Sequence, residues 1–536
     1  MVDSVPPPLP GSLSGSKARA PSHSAPPGVR HVIAVIGGRG GVGTSTLAIN
    51  LGVYLAQLGR RVLLIDASPI GAGLHTLFGL DAARTDSSDD DPDDQDLTPV
   101  PTQVPGLFLV PQSYRPGSTS PIRPGRKPRW ARKLRKLEVD YVLLDLGCGT
   151  APSTLDLFLG ADQVVCVTTP EPPSIEGTYR LLRAVFLRSL RRSLVEDRFR
   201  LRLVERAESE VGAMPSPIEL VRTIARYDAG VGARAAAELL QLRPRLVVNN
   251  VRLRTDSELG PAMCDLSLRY LGAKLEYVGH VEQDDAVWLS VVKSRPLLID
   301  SPTSKSARNL ERIARRMLAL ASARLEHRPE ERPPMIPDEP NLYDVLWTHR
   351  GASDEELRRA YKRQREIYQP GSLPLTSLLS ADALRAEQAR VEEAHDTLLD
   401  PLRRKAYDAS MFPDEQTRDA PVRPQPSAAL EAERALLRSE LERELGGETE
   451  FTGRLLQKVR EAQGVEIEDI AKHTKISQAH LRAIEAEAFL ELPALVYTRG
   501  FVRELAKFLK LDPTQVSRTY LRRMRATLAP EEDANS

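Results

Sequence analysis

The run Arg39-Gly40-Gly41-Val42-Gly43-Thr44-Ser45-Thr46 constrains this chain more than any other. An apolar stretch, HVIAVIGG, comes before it and an amphipathic one, LAINLGVYLAQLG, after it. Strand, glycine loop and helix in that order is the setting of a phosphate-binding loop. Glycines let backbone N–H groups turn inward as a nest for anionic oxygens. The helix N-terminus adds the positive end of its dipole. Ser45 stands where a hydroxyl would hold Mg²⁺. The position after the last glycine, where a lysine usually neutralises phosphate, is Thr44. The loop keeps its shape and loses its main charge.

A chain of 536 residues should hold several domains. Its net charge of +1 gives no global pull toward nucleic acid or membrane. Local charge is uneven: Arg126 to Lys136 form a basic run and Asp89 to Asp96 an acidic one, both read as solvated loops. Cys148, Cys166 and Cys264 are scattered without metal-ligand spacing, which argues against a disulfide framework and suits a reducing compartment. The N-terminus is rich in Pro and Ser and lacks the apolar core of a signal peptide. No run reaches the ~20 apolar residues of a membrane span. The expectation is a soluble, cytoplasmic protein.

The fold class expected is α/β: a parallel-sheet P-loop domain followed by two small all-α domains. Residues 1–29 read as a disordered tail and 30–325 as the P-loop domain. Its strands are HVIAVIG, RVLLID, LFLVP, DYVLLDLG, QVVCVTTP and PRLVVNN; alternating with helices, they imply a parallel sheet covered on both faces. A linker covers 326–340 and a helical module 341–410. Residues 411–450 read as a second linker with a charged helix, ALEAERALLRSELEREL, and 451–527 as five short helices before a frayed tail, 528–536.

RGGVGTST resembles the deviant Walker A loop of the MinD/ParA family. RVLLIDASPIGAGLHTLFGL resembles that family's second strand and switch I, and VDYVLLDLGCG its Walker B strand. TTPEPPSIEGTYRLLRAV resembles the FlhG/FleN branch, which numbers and places flagella; LVVNN and PLLIDSPTSKSARNLERIA also match. The resemblance implies an ATP-driven dimeric switch that positions division machinery, DNA or surface appendages. It puts ATP or ADP on Arg39, Gly40, Gly41, Val42, Gly43, Thr44, Ser45, Thr46 and Asn249, with Asn249 at the adenine, and Mg²⁺ on Ser45, Asp66 and Asp145. Arg39 occupies the place of the lysine that reaches the partner's phosphates; its fork differs from an ammonium. Switch I has Asp66 but Ser68 where the water-positioning aspartate belongs. Phosphoryl transfer depends on positioning and charge neutralisation, so the expectation is a pseudo-ATPase with weakened or lost nucleotide binding and no assigned catalytic residue. The last helix, SARNLERIARRMLALASARL, reads as core-facing and not as a membrane anchor.

NLYDVLWTHRGASDEELRRAYKRQREIYQPGS and RVEEAHDTLLDPLRRKAYD resemble a DnaJ-type J domain, with Ser353 and Glu356 as a capping box. Gln369-Pro370-Gly371 stands where that family carries His-Pro-Asp, so a co-chaperone role is not expected. LLQKVREAQGVEIEDIAKHTKISQAHLRAIEAEAFLELPALVYTRGFVRELAKFLKLD resembles the cytoplasmic helix-turn-helix of RodZ, which binds the actin-like MreB. IEDIAKHT is its first helix and SQAHLRAIEAEA the recognition helix, whose Ser477, Gln478, His480 and Arg482 would face a partner or a major groove. Glu485, Glu487 and Glu491 nearby would repel phosphates.

The function expected is therefore a positioning or regulatory scaffold. Its partners would be a second copy or a protein of the same fold, and cytoskeletal or appendage proteins. One alternative is a DNA-binding regulator, with Arg180, Arg183, Arg188, Arg191 and Arg192 assisting. A second is a slow genuine ATPase using Arg39 in the lysine's place.

Overall fold

A computed structural model describes residues 31–68, 73–80, 99–111, 138–212, 215–253, 256, 258–326, 341–412, 438, 441, 449–465 and 467–528. The expected N-terminal tail, the acidic and basic runs, the 326–340 linker apart from its first residue, the 528–536 tail apart from its first residue and nearly all of the charged helix at 429–445 lie outside the described residues.

The P-loop domain is built on an eight-stranded sheet in the order β3-β4-β2-β5-β1-β6-β7-β8. The strands are β1 (His31–Gly37), β2 (Val62–Asp66), β3 (Val100–Pro101), β4 (Leu107–Val110), β5 (Tyr141–Cys148), β6 (Gln163–Thr168), β7 (Arg245–Val251) and β8 (Glu276–Glu282). All pairs are parallel except β3 with β4. Six strands coincide with the apolar runs read from the sequence. The two others escape that signal because they are edges: β3 is two residues long, and β8 carries Glu276, His280 and Glu282 among its apolar positions.

Alternation along β1 shows why two helical layers form. Ile33 and Val35 face one core, with α1 (Thr44–Gln57), and Ala34 and Ile36 face the other. The second core takes α2 (Pro152–Phe158), α3 (Pro172–Ser193), α4 (Arg198–Val211), α5 (Pro217–Tyr227) and α6 (Ala229–Gln241). Beyond β7 come α7 (Leu259–Leu266), α8 (Asp285–Val292) and α9 (Lys305–Glu326). Helix α9 buries Leu310, Ile313, Ala314 and Met317 beside α1, so it faces the core as expected. Leu310, Ile313 and Met317 each contribute about 1.5–3 kcal/mol of burial.

The two helical modules do not hang from this body; both pack on it. The first contains α10 (Asp354–Ile367), α11 (Ala381–Leu398) and α12 (Pro401–Met411). Ser353 caps α10 through the expected box with Glu356. Its core of Tyr343, Leu357, Tyr368, Val391 and Leu398 continues into Ala262 and Leu266 of α7. The loop beginning at Gln369-Pro370-Gly371 turns into the seam: Leu373 and Leu378 pack against the sheet's second core, and Pro374 O accepts from Tyr179 Oη at 2.7 Å. Tyr270 and Tyr368 share a 2.8 Å hydroxyl bond, and Arg269 holds Glu387 at 2.8 Å.

The C-terminal module comprises α13 (Gly453–Gln463), α14 (Ile467–Thr474), α15 (Gln478–Ala486), α16 (Leu495–Phe508) and α17 (Pro513–Leu528). Leu456, Ile470, Ile484, Val502 and Tyr520 form its core. Helix α13 docks on the polar face of α9. Glu461 lies 3.2 Å from Arg312 and 3.6 Å from Arg315, and Arg454 reaches Glu311 at 2.8 Å.

Candidate functional site

Strand β1 delivers the glycine loop to the start of α1, at the C-terminal edge of the parallel strands, where open α/β sheets bind ligands. Gly41 and Gly43 have φ of +82° and +94°, in the left-handed region that favours glycine. Gly38 is required for another reason: a Cβ there would come within 2.1 Å of the backbone of Gly177 in α3. The first turn of α1 holds no acidic residue, so its N–H groups and dipole remain available to an anion.

Below the loop, Ser45 Oγ donates to Asp145 Oδ2 at 2.5 Å, and Gly147 N to Asp145 Oδ1 at 3.1 Å. Burial pushes the Asp145 carboxyl upward against these two bonds. Hydroxyl and carboxylate are thus paired as hard oxygen ligands of the kind Mg²⁺ takes beside phosphate. Asp66 lies next to Asp145 in strand register, fully buried. Its carboxylate accepts from Ser68 N at 3.4 Å and Leu74 N at 3.3 Å, and so organises the switch turn. Ser68 is itself buried, close against Gly147. The structure brings Ser45 and Asp145 together as the sequence implied and gives Asp66 a part in the turn.

Arg39 lies at the rim of the loop, half exposed, 3.4 Å from Glu171 of its own chain. An exposed pair of this kind is worth about 0–1 kcal/mol, so an arriving phosphate can compete for the guanidinium. Asn249 Nδ2 donates to Val42 O at 2.8 Å. That bond ties β7 to the loop and leaves Asn249 Oδ1 as the acceptor turned elsewhere.

A cavity of about 510 Å³ opens beside the loop. Of the residues expected at a nucleotide, Arg39, Gly40, Gly41, Val42, Gly43, Thr46 and Asn249 line it and Thr44 and Ser45 do not. Its far wall was not legible: Glu171, Asn250, Glu282, Asp284, Asp285 and Trp288 also line it. The signal was present in KLEYVGHVEQDDAVW, whose alternation marks β8 and whose following loop must reach the same sheet edge.

In the C-terminal module the predicted helices stand where the sequence put them. Ser477 caps α15 by accepting from His480 N, so its hydroxyl is committed. Arg482 is exposed on the first turns of α15, with Gln478 and His480 half-exposed beside it. Two of the three carboxylates expected to repel phosphate are neutralised internally. Glu485 is bound bidentately by Arg460 at 2.6 and 2.9 Å, and Glu487 by Arg523 at 3.0 and 3.2 Å. The arginines of α3 are corrected in the opposite sense. Arg188 and Arg192 hold Asp156, Arg191 holds Glu208, Arg180 holds Glu176, and Arg183 reaches Ser377 O. They bind their own chain and form no free basic patch. Among the described residues no helix is long and apolar enough to cross a membrane.

Residues 28–186 match the family model ParA, described as NUBPL iron-transfer P-loop NTPase, and residues 455–516 match a helix-turn-helix domain. The iron–sulfur cluster carrier protein of Aquifex aeolicus is 36% identical over 155 residues, which cover 27% of this chain and 41% of that protein. The antiactivator FleN of Pseudomonas aeruginosa is 28% identical over 289 residues, covering 53% of this chain and 85% of FleN. The structure of the septum site-determining protein MinD with Mg-ADP from Pyrococcus horikoshii aligns over 56% of this chain and all of that one, at 16% identity and a TM-score of 0.33. The chain thus spans well under half the length of the carrier protein. Cys148 and Cys264 are half-buried and Cys166 fully so, and among the described residues no three His, Cys, Asp or Glu side chains are grouped as a metal site.

Proposed function

We propose that this chain, which carries a P-loop domain of the MinD/ParA/FleN-like positioning family and a C-terminal helix-turn-helix domain, is a nucleotide-binding scaffold that turns over slowly or not at all. One observation carries the reading. The Ser45–Asp145 pair that suits Mg²⁺ is intact, while Thr44 and Ser68 occupy the positions that neutralise phosphate and orient water. Residues 40–46 would hold the phosphates through their backbone amides, and Ser45 and Asp145 the magnesium. Held there, the metal would offset part of the phosphate charge. Arg39 would supply the remaining charge after leaving Glu171. Nothing in this set activates a nucleophile: the Ser68 hydroxyl is a far weaker proton acceptor than a carboxylate.

The packed helical modules support a docking role, and the likeness to FleN supports placement or regulation of a cellular structure. The J-like module serves as a fixed shoulder of the P-loop domain. Gln369, Pro370 and Gly371 themselves stay exposed, but that turn carries neither the histidine nor the aspartate a chaperone partner would need, and the residues after it, Leu373, Pro374 and Leu378, fix the loop in the seam.

Phosphate release tests the reading. Natural turnover should be near background, and Thr44→Lys with Ser68→Asp should raise it at least tenfold. Brisk turnover by the natural chain, abolished by Ser45→Ala or Asp145→Asn, would overturn it.

A second reading, DNA binding by α15, is favoured by the internal neutralisation of Glu485 and Glu487. Binding of mixed duplex DNA, with affinity falling steeply in salt, would support it. No binding at low salt would remove it.

A further inference from the structure

The phosphate cavity is poor in positive charge. Among the described residues Arg39 is the one cation lining it, against the carboxylates of Glu171, Glu282, Asp284 and Asp285. Asp284 is occupied in capping α8, where it accepts from Ala286 N at 3.0 Å. A nucleotide entering this space gains amide bonds at the loop, but each further phosphate brings negative charge that no lysine offsets. The cavity also has apolar lining. Val247, Val281, Val287 and Leu310 contribute to it, and Trp288 lines it with 65% of its surface exposed. The indole is left in water on a helix whose Leu289, Val291 and Val292 are also exposed, and it is a large unused contact surface. The cavity's volume of about 510 Å³ lies within the range of small-molecule and cofactor sites.

From these placements we infer that the site is anchored at its base end: Trp288 stacks a purine, and the pocket binds nucleoside di- and triphosphates almost alike. The inference rests on the P-loop being a nucleotide site. Asn249, whose Nδ2 is spent on Val42 O, and Asp285 both line the cavity, and their oxygen acceptors suit the amino edge of a purine. Such a site reports whether a purine nucleotide is present and is nearly blind to hydrolysis of its last phosphate. That behaviour matches a chain lacking Lys at position 44 and Asp at position 68.

The test is calorimetric titration of the full chain with MgADP, MgCDP and a slowly hydrolysed MgATP analogue, alongside Trp288→Ala, Trp288→Phe and Thr44→Lys. Wild type should bind the di- and triphosphate within about threefold of each other and prefer adenine to cytosine. Base-on-aromatic stacking predicts that Trp288→Ala weakens both adenine nucleotides together by about five- to a hundredfold, and that Trp288→Phe restores most of the loss. Thr44→Lys should create a triphosphate preference. Unchanged affinity in Trp288→Ala would overturn the inference and leave the nucleotide reading standing. A tenfold or greater triphosphate preference in wild type would overturn it too. So would an affinity loss that tracks dissociation of a dimer by light scattering in the same samples, since Trp288 would then be a subunit contact. If wild type bound none of the nucleotides, both this inference and the nucleotide reading would fall.

Discussion

Glu461→Gln should release the C-terminal module from the P-loop domain without unfolding either. Glu461 is only 17% exposed and is held by Arg312 and Arg315 of α9 as well as by Gln457 and Arg460 of its own helix. Burial alone would push its carboxyl up, but the surrounding arginines and Gln457 win and hold it below its ordinary value. Removing one partner of a buried pair costs roughly 3–5 kcal/mol, and an exposed pair is worth about 0–1 kcal/mol. Arg315 is 8% exposed and Arg312 37%, so the cluster lies between those limits. We expect a cost of about 2–3 kcal/mol, or roughly a thirty- to hundredfold shift in the docking equilibrium. Small-angle scattering should show a larger radius of gyration, and hydrogen exchange should quicken along α13 where it meets α9. The pH dependence follows from the depressed folded value. The contribution is fully present above the unfolded carboxyl value and is lost as pH falls through the folded one, so docking should loosen only below about pH 4. In Glu461→Gln that acid limb should disappear. An unchanged scattering curve together with unchanged exchange would refute the view that this cluster holds the module.

Other substitutions probe the remaining joints. Gly38→Ala drives a Cβ into the Gly177 backbone at 2.1 Å, and overpacking of that kind costs typically about 1–3 kcal/mol; thermal denaturation should show a lower Tm, and Gly177→Ala should do the same. Asp145 sits above its ordinary value because it is buried, so its charge opposes folding of the ligand-free protein as pH rises through the shifted range. Accordingly Asp145→Asn should raise the ligand-free Tm near neutrality while abolishing any Mg²⁺-dependent stabilisation; a lower Tm would contradict the assignment of burial as the dominant cause. Arg269 and Glu387 are 15% and 11% exposed, and Glu387→Ala should cost about 2–4 kcal/mol by calorimetry because it leaves a cation in the seam. The Cys166 thiol is buried and pushed up to about 12, so in the native protein a thiol reagent at pH 8 should label half-exposed Cys148 first and Cys166 only on unfolding.

The parts legible in the sequence are those with short-range causes. The glycine loop announces itself because φ above zero and close backbone approach demand glycine at Gly41, Gly43 and Gly38. Buried parallel strands read as continuous apolar runs, and Ser353 with Glu356 reads as a cap because both ends of that bond lie within four residues. What escaped depends on neighbours that are distant along the chain. Strand β8 is half polar because it closes an edge, so its loop, and with it Trp288 and Asp285, could not be placed at the phosphate cavity. Glu485 and Glu487 looked like free charges because Arg460 and Arg523 lie 25 and 36 residues away. Arg188, Arg191 and Arg192 of α3 looked like part of a basic patch for the same reason, their partners Asp156 and Glu208 lying 17 to 36 residues away.

Helix α9 shows why module-by-module reading stops short. One face supplies Leu310 to the cavity beside the glycine loop, and Ser306 and Asn309 bind the backbone of Glu282 at its rim, at 2.8 and 3.1 Å. The other face supplies Glu311, Arg312 and Arg315 to the helix-turn-helix module. A pattern of apolar and charged residues at helical spacing identifies such a helix as amphipathic. It does not say that the charged face is covered, because that face is as hydrophilic when docked on a complementary surface as when bathed in water. The discriminating feature is charge order: Glu311, Arg312 and Arg315 meet Arg454 and Glu461 in complementary sequence, and only the three-dimensional pairing reveals that the two sets belong together.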